Sequence, residues 1–127
     1  MEKGLKKICD LGELWEQETG QPIPLGGIVV KKKLPDDTRQ KLDRVMRRSI
    51  EYAFANPESG YEFVKQHALE MDEEVRRKHI ALYVNEYSVD LGEEGRLAVE
   101  TLFQKAKENG FIQSVPGTIF IHKIVEL

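Results

Sequence analysis

This sequence of 127 residues has few of the side chains that bind metals, form disulfides or attack substrates. Its only cysteine, Cys9, excludes an intramolecular disulfide, and a lone thiol in an apolar run is expected to be a small buried hydrophobe. The three histidines, His67, His79 and His122, lack the spacing of a zinc site. His79 is interpreted as a hydrogen-bonded core or boundary residue, and His67 as a residue that caps the carboxyl end of a helix. No serine has the flanking glycines of a nucleophile elbow.

Long apolar runs and a strong charge of one sign are also missing. No stretch reaches the roughly 18 apolar residues of a membrane span, and the first residues include no apolar segment of signal-peptide length. The formal net charge of -3 provides no field that would attract nucleic acid or an anionic membrane. The basic groups near Lys31, Arg47 and Arg77 alternate with acidic residues, which predicts a salt-bridged surface. We therefore expect a cytoplasmic protein with neither nucleic acid nor membrane as partner.

Helical periodicity and capping residues predict five helices in a single folded domain. With 40% hydrophobic and 32% charged residues, the composition is that of a globular protein. Apolar residues at spacings of three and four, together with start and stop signals, define the helices. They run from Asp10 to Glu18, from Asp36 or Asp37 to Asn56, from Pro57 to about Met71, from Asp72 onward, and from about Leu91 to Asn109-Gly110.

Three short strands are predicted, at Leu5–Cys9, Gly27–Lys33 and Thr118–Val125. The apolar part of the second strand, Ile28–Val30, is continuous rather than alternating, which is typical of a strand buried on both faces. Three strands are too few to cover five amphipathic helices, and open strand edges are unfavourable in a monomer. We expect the sheet to be completed by another chain or by strand exchange between copies.

The segment from Asp10 to Val30 combines a capped helix, a stiff connection and an apolar strand. Pro22 and Pro24 each fix one backbone angle and remove one hydrogen-bond donor, so the chain must run extended there. Gly26 and Gly27 follow and favour close approach of another group to the backbone. A stiff proline segment followed by two glycines indicates either the lining of a cleft or only the start of a strand.

Three blocks of this sequence resemble one protein family. The blocks are DLGELWEQETGQPIPLGGI, RRSIEYAFANPE and HIALYVNEYSVDLGEEG, in this order. They are similar to the C-terminal part of the 1,4-dihydroxy-6-naphthoate synthases of the futalosine route to menaquinone. The resemblance extends from about Gly4 to Ile112, and members of the family are roughly twice as long as this chain.

The resemblance implies an α/β fold with two lobes, like that of the periplasmic solute-binding proteins. On this basis residues 1–20 form the end of the smaller lobe, 21–27 the crossing between the lobes, 28–112 the helices and strand of the main lobe, and 113–127 a C-terminal strand or tail. Residues that match the family block at the crossing are assigned to the substrate cleft or hinge. They are Thr19, Pro22, Pro24, Leu25, Gly26 and Gly27.

The resemblance also implies a lyase that releases 1,4-dihydroxy-6-naphthoate from cyclic dehypoxanthinyl futalosine, with no metal or organic cofactor. The family's base is a histidine of a His-Glu motif, which would precede Met1, so no catalytic residue is assigned here and the isolated chain is expected to be inactive. A small-molecule substrate is expected only when an N-terminal half completes the site. The alternative is a non-catalytic, solute-binding-like module that associates with itself.

Overall fold

The computed structural model describes residues 4–69 and 72–121, which form helices joined by turns and extended segments. The helices are α1 (Leu11–Thr19), α2 (Asp36–Ala55), α3 (Tyr61–His67), α4 (Glu73–Tyr83), α5 (Glu86–Val89) and α6 (Gly92–Glu108), and a 3-10 turn at Pro57–Gly60 lies between α2 and α3. In the described ranges, no residue belongs to a β-strand. The prediction of a helix-rich chain is confirmed.

The chain divides into two compact units. One unit comprises residues 4–25 and 92–115 and includes α1 and α6. The other comprises residues 26–69, 72–91 and 116–121 and includes α2 to α5. The junctions between the units therefore lie at Leu25–Gly26, Leu91–Gly92 and Val115–Pro116.

In the first unit, local capping residues set the ends of α1. The Asp10 carboxylate accepts hydrogen bonds from the backbone N–H groups of Gly12, at 3.0 Å, and Glu13, at 3.3 Å. The Lys7 ammonium lies 3.0 Å from the same carboxylate. At the other end, Gly20 adopts a left-handed conformation with φ of 68°, which a side chain would disfavour. The predicted helix from Asp10 to Glu18 is confirmed, and each of its ends lies one residue further along the chain.

The longer helix of this unit, α6, ends in a Schellman motif. The Phe111 N–H donates to the Ala106 carbonyl at 2.8 Å, and the Gly110 N–H donates to the Lys107 carbonyl at 3.0 Å. Gly110 has a φ of 75°, as this turn requires. The predicted stop at Asn109-Gly110 is therefore confirmed. On α6, Ala98 is 2% exposed, and it is the one hydrophobic side chain in the described residues that is buried.

In the second unit, α2 packs against the short helix α5. Arg47 Nη2 of α2 lies 2.9 Å from Asp90 Oδ2, the residue that follows α5, and Arg47 Nε lies 3.5 Å from Glu51. A capping box fixes α5, because the Tyr87 N–H donates to Asn85 Oδ1 and the Asn85 N–H donates to Ser88 Oγ. Sequence periodicity missed α5 because four residues are too short to show a period.

The helix predicted from Pro57 to about Met71 is shorter than expected. Its first turn is the 3-10 turn, and α3 ends at His67. Gly60 is the last residue of the 3-10 turn, directly before α3, and glycine lowers helix propensity. Met71 lies outside the described residues. The next helix, α4, begins as predicted, since the Asp72 carboxylate accepts the Val75 N–H at 3.0 Å.

The predicted strands do not form in the described residues. Leu5–Cys9 is unpaired, and Gly27–Lys33 is extended only as far as Lys31, because a turn follows in which the Leu34 N–H donates to the Lys31 carbonyl at 3.1 Å. Residues 118–121 of the third prediction are not in a strand, and 122–125 lie outside the described residues. A strand needs a hydrogen-bonding neighbour, and no described segment supplies one.

The expected burial of Cys9 is also wrong. Its thiol is exposed, and Ile8 beside it is 98% exposed. The same cause applies, because Cys9 lies in the unpaired segment that was predicted to be a strand of a sheet.

Replacing Arg47 tests the contact between α2 and α5. We expect Arg47→Ala to lower the free energy of unfolding by about 1 kcal/mol, because it removes a charge-assisted hydrogen bond at a partly covered site. Arg48→Ala is the matched control, since Arg48 is the next residue of α2 and is exposed. Urea titration followed by helical circular dichroism measures both variants, and equal destabilisation by both would contradict the assigned role.

The Asp10 cap is expected to make the stability of the start of α1 depend on pH. The Lys7 ammonium, followed by the backbone N–H groups of Glu13 and Gly12, holds the pKa of Asp10 below its ordinary value of 3.8. Because the pKa is lower in the folded state, the stabilisation is complete above 3.8 and is lost as the pH falls through the lowered pKa.

Fluorescence of Trp15, the only tryptophan, reports on α1 directly. We expect its emission to change on acidification below about pH 4 in the wild type, following the titration of a cap. Asp10→Asn retains a good cap without a titrating group, so its emission should lack that transition. Identical acid transitions in the two proteins would show that Asp10 is not responsible.

Candidate functional site

The hydroxyl of Thr19 shapes the chain where α1 ends. Thr19 Oγ1 donates to the Trp15 carbonyl at 2.8 Å and accepts from the Gln21 N–H at 3.2 Å. The side chain is half-buried, and these two bonds hold the backbone as it leaves Gly20. Thr19 therefore has a structural function at the start of the proline segment.

The proline segment packs back onto the start of α1. Pro22, Ile23 and Pro24 are half-buried. A Cβ atom placed on Gly12 would lie 3.6 Å from Ile23 Cγ2, an ordinary van der Waals distance, so Ile23 lies beside the first turn of α1. Pro22 and Pro24 thus belong to a packed connection rather than to a free loop.

Gly26 and Gly27 are exposed, and the described chain gives no steric reason for glycine at either position. No atom lies within 4 Å of a Cβ placed on either residue, and neither has a positive φ. The close backbone approach expected from the sequence is therefore not made by any described residue. Leu25, the last residue before the junction between the units, is half-exposed.

The six predicted cleft residues thus lie on both sides of one junction. Thr19, Pro22, Pro24 and Leu25 belong to the first unit. Gly26 and Gly27 begin the second unit. Their assignment to a cleft or hinge stays a prediction.

Two polar groups that sequence reasoning did not single out lie in the same segment of the first unit. Trp15 Nε1 and Gln21 Oε1 are shielded from solvent and have no hydrogen-bond partner among the described residues. One is a donor and the other an acceptor. In the sequence, these two residues are indicated only by the rarity of tryptophan and by the position of Gln21 directly before Pro22.

The described histidines have structural contacts and no acidic partner at hydrogen-bond distance. His67 Nδ1 donates to the Phe63 carbonyl at 2.8 Å, and the two rings stack with centroids 4.2 Å apart. This agrees with a residue that satisfies a carbonyl at the end of a helix. His79 is exposed rather than in the core, and its ring lies tilted against Tyr83 at 4.7 Å. His122 lies outside the described residues.

Glu73, at the start of α4, is a carboxylate of the second unit with several partners. It accepts hydrogen bonds from the Tyr61 hydroxyl at 3.1 Å and from Arg77 Nε at 3.0 Å, and Arg77 also lies 3.8 Å from Glu58. The Arg77 guanidinium, followed by the Tyr61 hydroxyl, holds the pKa of Glu73 below its ordinary value, and Glu73 in turn raises the pKa of Arg77. Glu73 is therefore a charged partner of Arg77 and a poor general base near neutral pH.

The described residues contain no cluster of three or more metal-binding side chains. Basic and acidic side chains alternate along the surface and form ion pairs, such as that of Lys78 with Glu74 on α4 at 2.7 Å. This confirms the predicted salt-bridged surface on α4. None of the helices in the described part has the length and apolar character needed to span a membrane.

Comparison with known proteins identifies a family and two relatives. The model of the menaquinone biosynthesis family matches residues 1–108. A 1,4-dihydroxy-6-naphthoate synthase of Thermus thermophilus is 41% identical over 118 residues, which cover 93% of this chain and 43% of that protein. A protein of the same name from Streptomyces coelicolor is 41% identical over 112 residues, which cover 88% of this chain and 40% of that protein.

The chain thus spans about two fifths of the length of the curated relatives that it matches. The similarity includes the proline segment and the helices on both sides of it, since it covers nearly the whole chain. Because the family model matches most of its residues, the chain belongs to the menaquinone biosynthesis family.

Proposed function

We propose that this chain is the C-terminal portion of a 1,4-dihydroxy-6-naphthoate synthase, the lyase that acts on cyclic dehypoxanthinyl futalosine in menaquinone biosynthesis. The observation that supports this most strongly is the 41% identity to two such synthases over nearly the entire chain. The proposal includes a two-lobed fold like that of the periplasmic solute-binding proteins, with residues 21–27 as a crossing between the lobes. The single cysteine is in keeping with a reducing compartment, and we place the reaction in the cytoplasm.

The reaction needs a base, and we propose that it lies outside these 127 residues. Removal of a proton next to a leaving group requires a base whose pKa is near the working pH, which suits imidazole. His67 and His79 make the ring and carbonyl contacts of helix residues, and Glu73 is held as an anion by Arg77. These contacts support the assignment of the base to a His-Glu motif in the N-terminal portion.

The contribution of this chain is then to the binding of substrate. We assign Thr19, Pro22, Pro24, Leu25, Gly26 and Gly27 to the cleft or hinge. The open space around Gly26 and Gly27 supports this assignment, because the packing of the described residues does not require glycine at either position. A ligand or a second polypeptide that approaches the backbone would explain glycine at both positions.

Complementation tests the proposed function. We expect the chain alone to release no naphthoate from cyclic dehypoxanthinyl futalosine, because it lacks the base. Mixed with the portion of the Thermus thermophilus synthase that the match does not cover, it should release naphthoate, and the full-length relative is the positive control. Release by the isolated chain would contradict the position of the base, and a mixture that binds but stays inactive would contradict the function.

A glycine substitution tests the cleft assignment. Gly27→Val should leave the helical content of the chain unchanged, because its Cβ position is open and its φ is not positive. In the complemented enzyme it should lower kcat/KM by about tenfold or more, since small displacements near a reacting group cost that much. Gly117→Val is the control, because Gly117 is equally open but lies beyond the family match. Equal activities of the two variants would remove Gly27 from the cleft.

A further inference from the structure

An asparagine followed by a glycine lies at the carboxyl end of α6. Both residues, Asn109 and Gly110, are exposed, and the sequence contains no other Asn-Gly pair. In such a pair the backbone nitrogen of the glycine can attack the carbonyl carbon of the asparagine side chain, because glycine has no side chain that obstructs the approach. Asparagine is for this reason one of the chemically labile residues of proteins.

The reaction needs water and neither an oxidant nor a reductant. The Gly110 nitrogen forms a bond to Asn109 Cγ, the bond from Cγ to Nδ2 breaks, and the proton of the Gly110 nitrogen leaves with Nδ2 as part of ammonia. Water then opens the resulting five-membered imide at either of its two carbonyl groups. One opening gives an aspartate, and the other gives an isoaspartate, in which the main chain passes through the former side chain.

In the folded chain, hydrogen bonds hold both reacting groups away from the geometry of attack. Asn109 Nδ2 donates to the Lys105 carbonyl at 2.8 Å, which turns the side-chain amide back toward the preceding turn of α6. The Gly110 N–H donates to the Lys107 carbonyl at 3.0 Å. The attacking nitrogen must lose this proton and the side-chain amide must turn forward, so both bonds must break before the imide forms. The Schellman motif that ends α6 therefore opposes the reaction.

The products of the reaction no longer form the same cap. An aspartate at position 109 has no donor for the Lys105 carbonyl, and its negative charge lies at the negative end of the helix dipole. Lys105 and Lys107, in the last turn of α6, offset only part of that charge. An isoaspartate lengthens the main chain by one carbon atom, which changes the spacing that the bonds of Gly110 and Phe111 require. Opening of this helix end thus becomes permanent once the imide has formed.

We propose that the pair Asn109–Gly110 is a site of spontaneous deamidation, which the carboxyl-terminal cap of α6 suppresses in the folded chain. Each opening of the last turn exposes the pair to reaction, and each reaction removes the cap that protected it. The buried Ala98 lies about three turns earlier in α6, so the damage is confined to the end of the helix. The proposal does not depend on the proposed function, because the chemistry needs only these residues and water.

Peptide mapping by mass spectrometry tests the site, after incubation of the chain in mildly alkaline buffer with and without enough urea to unfold it. We expect Asn109 to convert to aspartate and isoaspartate in urea, and at least about tenfold more slowly in the folded chain, because opening of a capped helix end costs free energy. Asn56 is the internal control. Its Nδ2 donates to the Tyr52 carbonyl at 2.9 Å in the same way, but Pro57 has no N–H to lose, so Asn56 should stay intact in both samples.

The variant Asn109→Asp tests the effect of the product on the cap. In the wild type, the Phe111 N–H donates to the Ala106 carbonyl at 2.8 Å. We expect this amide to exchange its hydrogen with solvent about fivefold faster in Asn109→Asp, because a side-chain hydrogen bond is lost and a charge is added at an unfavourable place. Gln113→Glu is the matched control, since it adds the same charge at an exposed position after the helix and leaves Asn109 in place. It should exchange at nearly the wild-type rate.

Four results would overturn the proposal. Asn109 that stays intact in urea would show that the pair is not reactive, and equal rates of conversion in the folded and unfolded chain would show that the cap does not protect it. Conversion of Asn56 as fast as that of Asn109 would show that the glycine is not needed. Exchange of the Phe111 amide at the wild-type rate in Asn109→Asp would show that the product leaves the cap intact.

Discussion

The exposure of apolar residues next to unpaired backbone is the constraint on which the rest of the structure depends. Apolar side chains contribute to stability only when they are removed from water, and extended backbone needs hydrogen-bond partners. Here both conditions are unmet in the same places, at Leu5–Cys9 and at Ile28–Val29 with the neighbouring side of α2. Helices satisfy their own backbone, so they form from local signals, while the segments that need long-range partners stay extended and exposed.

The sequence predicted the helices well because their ends depend on neighbouring residues. Asp10 and Gly20 delimit α1 through hydrogen bonds and a left-handed turn made within a few residues, and Gly110 ends α6 in the same way. The interpretation failed where distant groups decide the outcome. Strand pairing and the burial of Cys9 both require a neighbouring strand. The helix α5 was not predicted, because its capping box stabilises a helix that is too short to show a hydrophobic period.

The candidate site shows the same division between local and distant causes. The hydrogen bonds of Thr19 and the packing of Ile23 on Gly12 explain the path of the proline segment from the chain itself. No local cause explains glycine at positions 26 and 27 or the unpaired groups of Trp15 and Gln21. Under the proposed function, contact with a substrate or with the remaining portion of the synthase would account for these residues.

Amide hydrogen exchange of residues 28–30 tests the central claim most directly. It should be measured in the isolated chain and in the presence of the portion of the Thermus thermophilus synthase that the match does not cover. The account predicts rapid exchange in the isolated chain and strong protection in the complex, because strand pairing gives these amides their partners. Amides at Ile28 to Val30 that are already protected in the isolated chain, or that stay unprotected in an active complex, would contradict it.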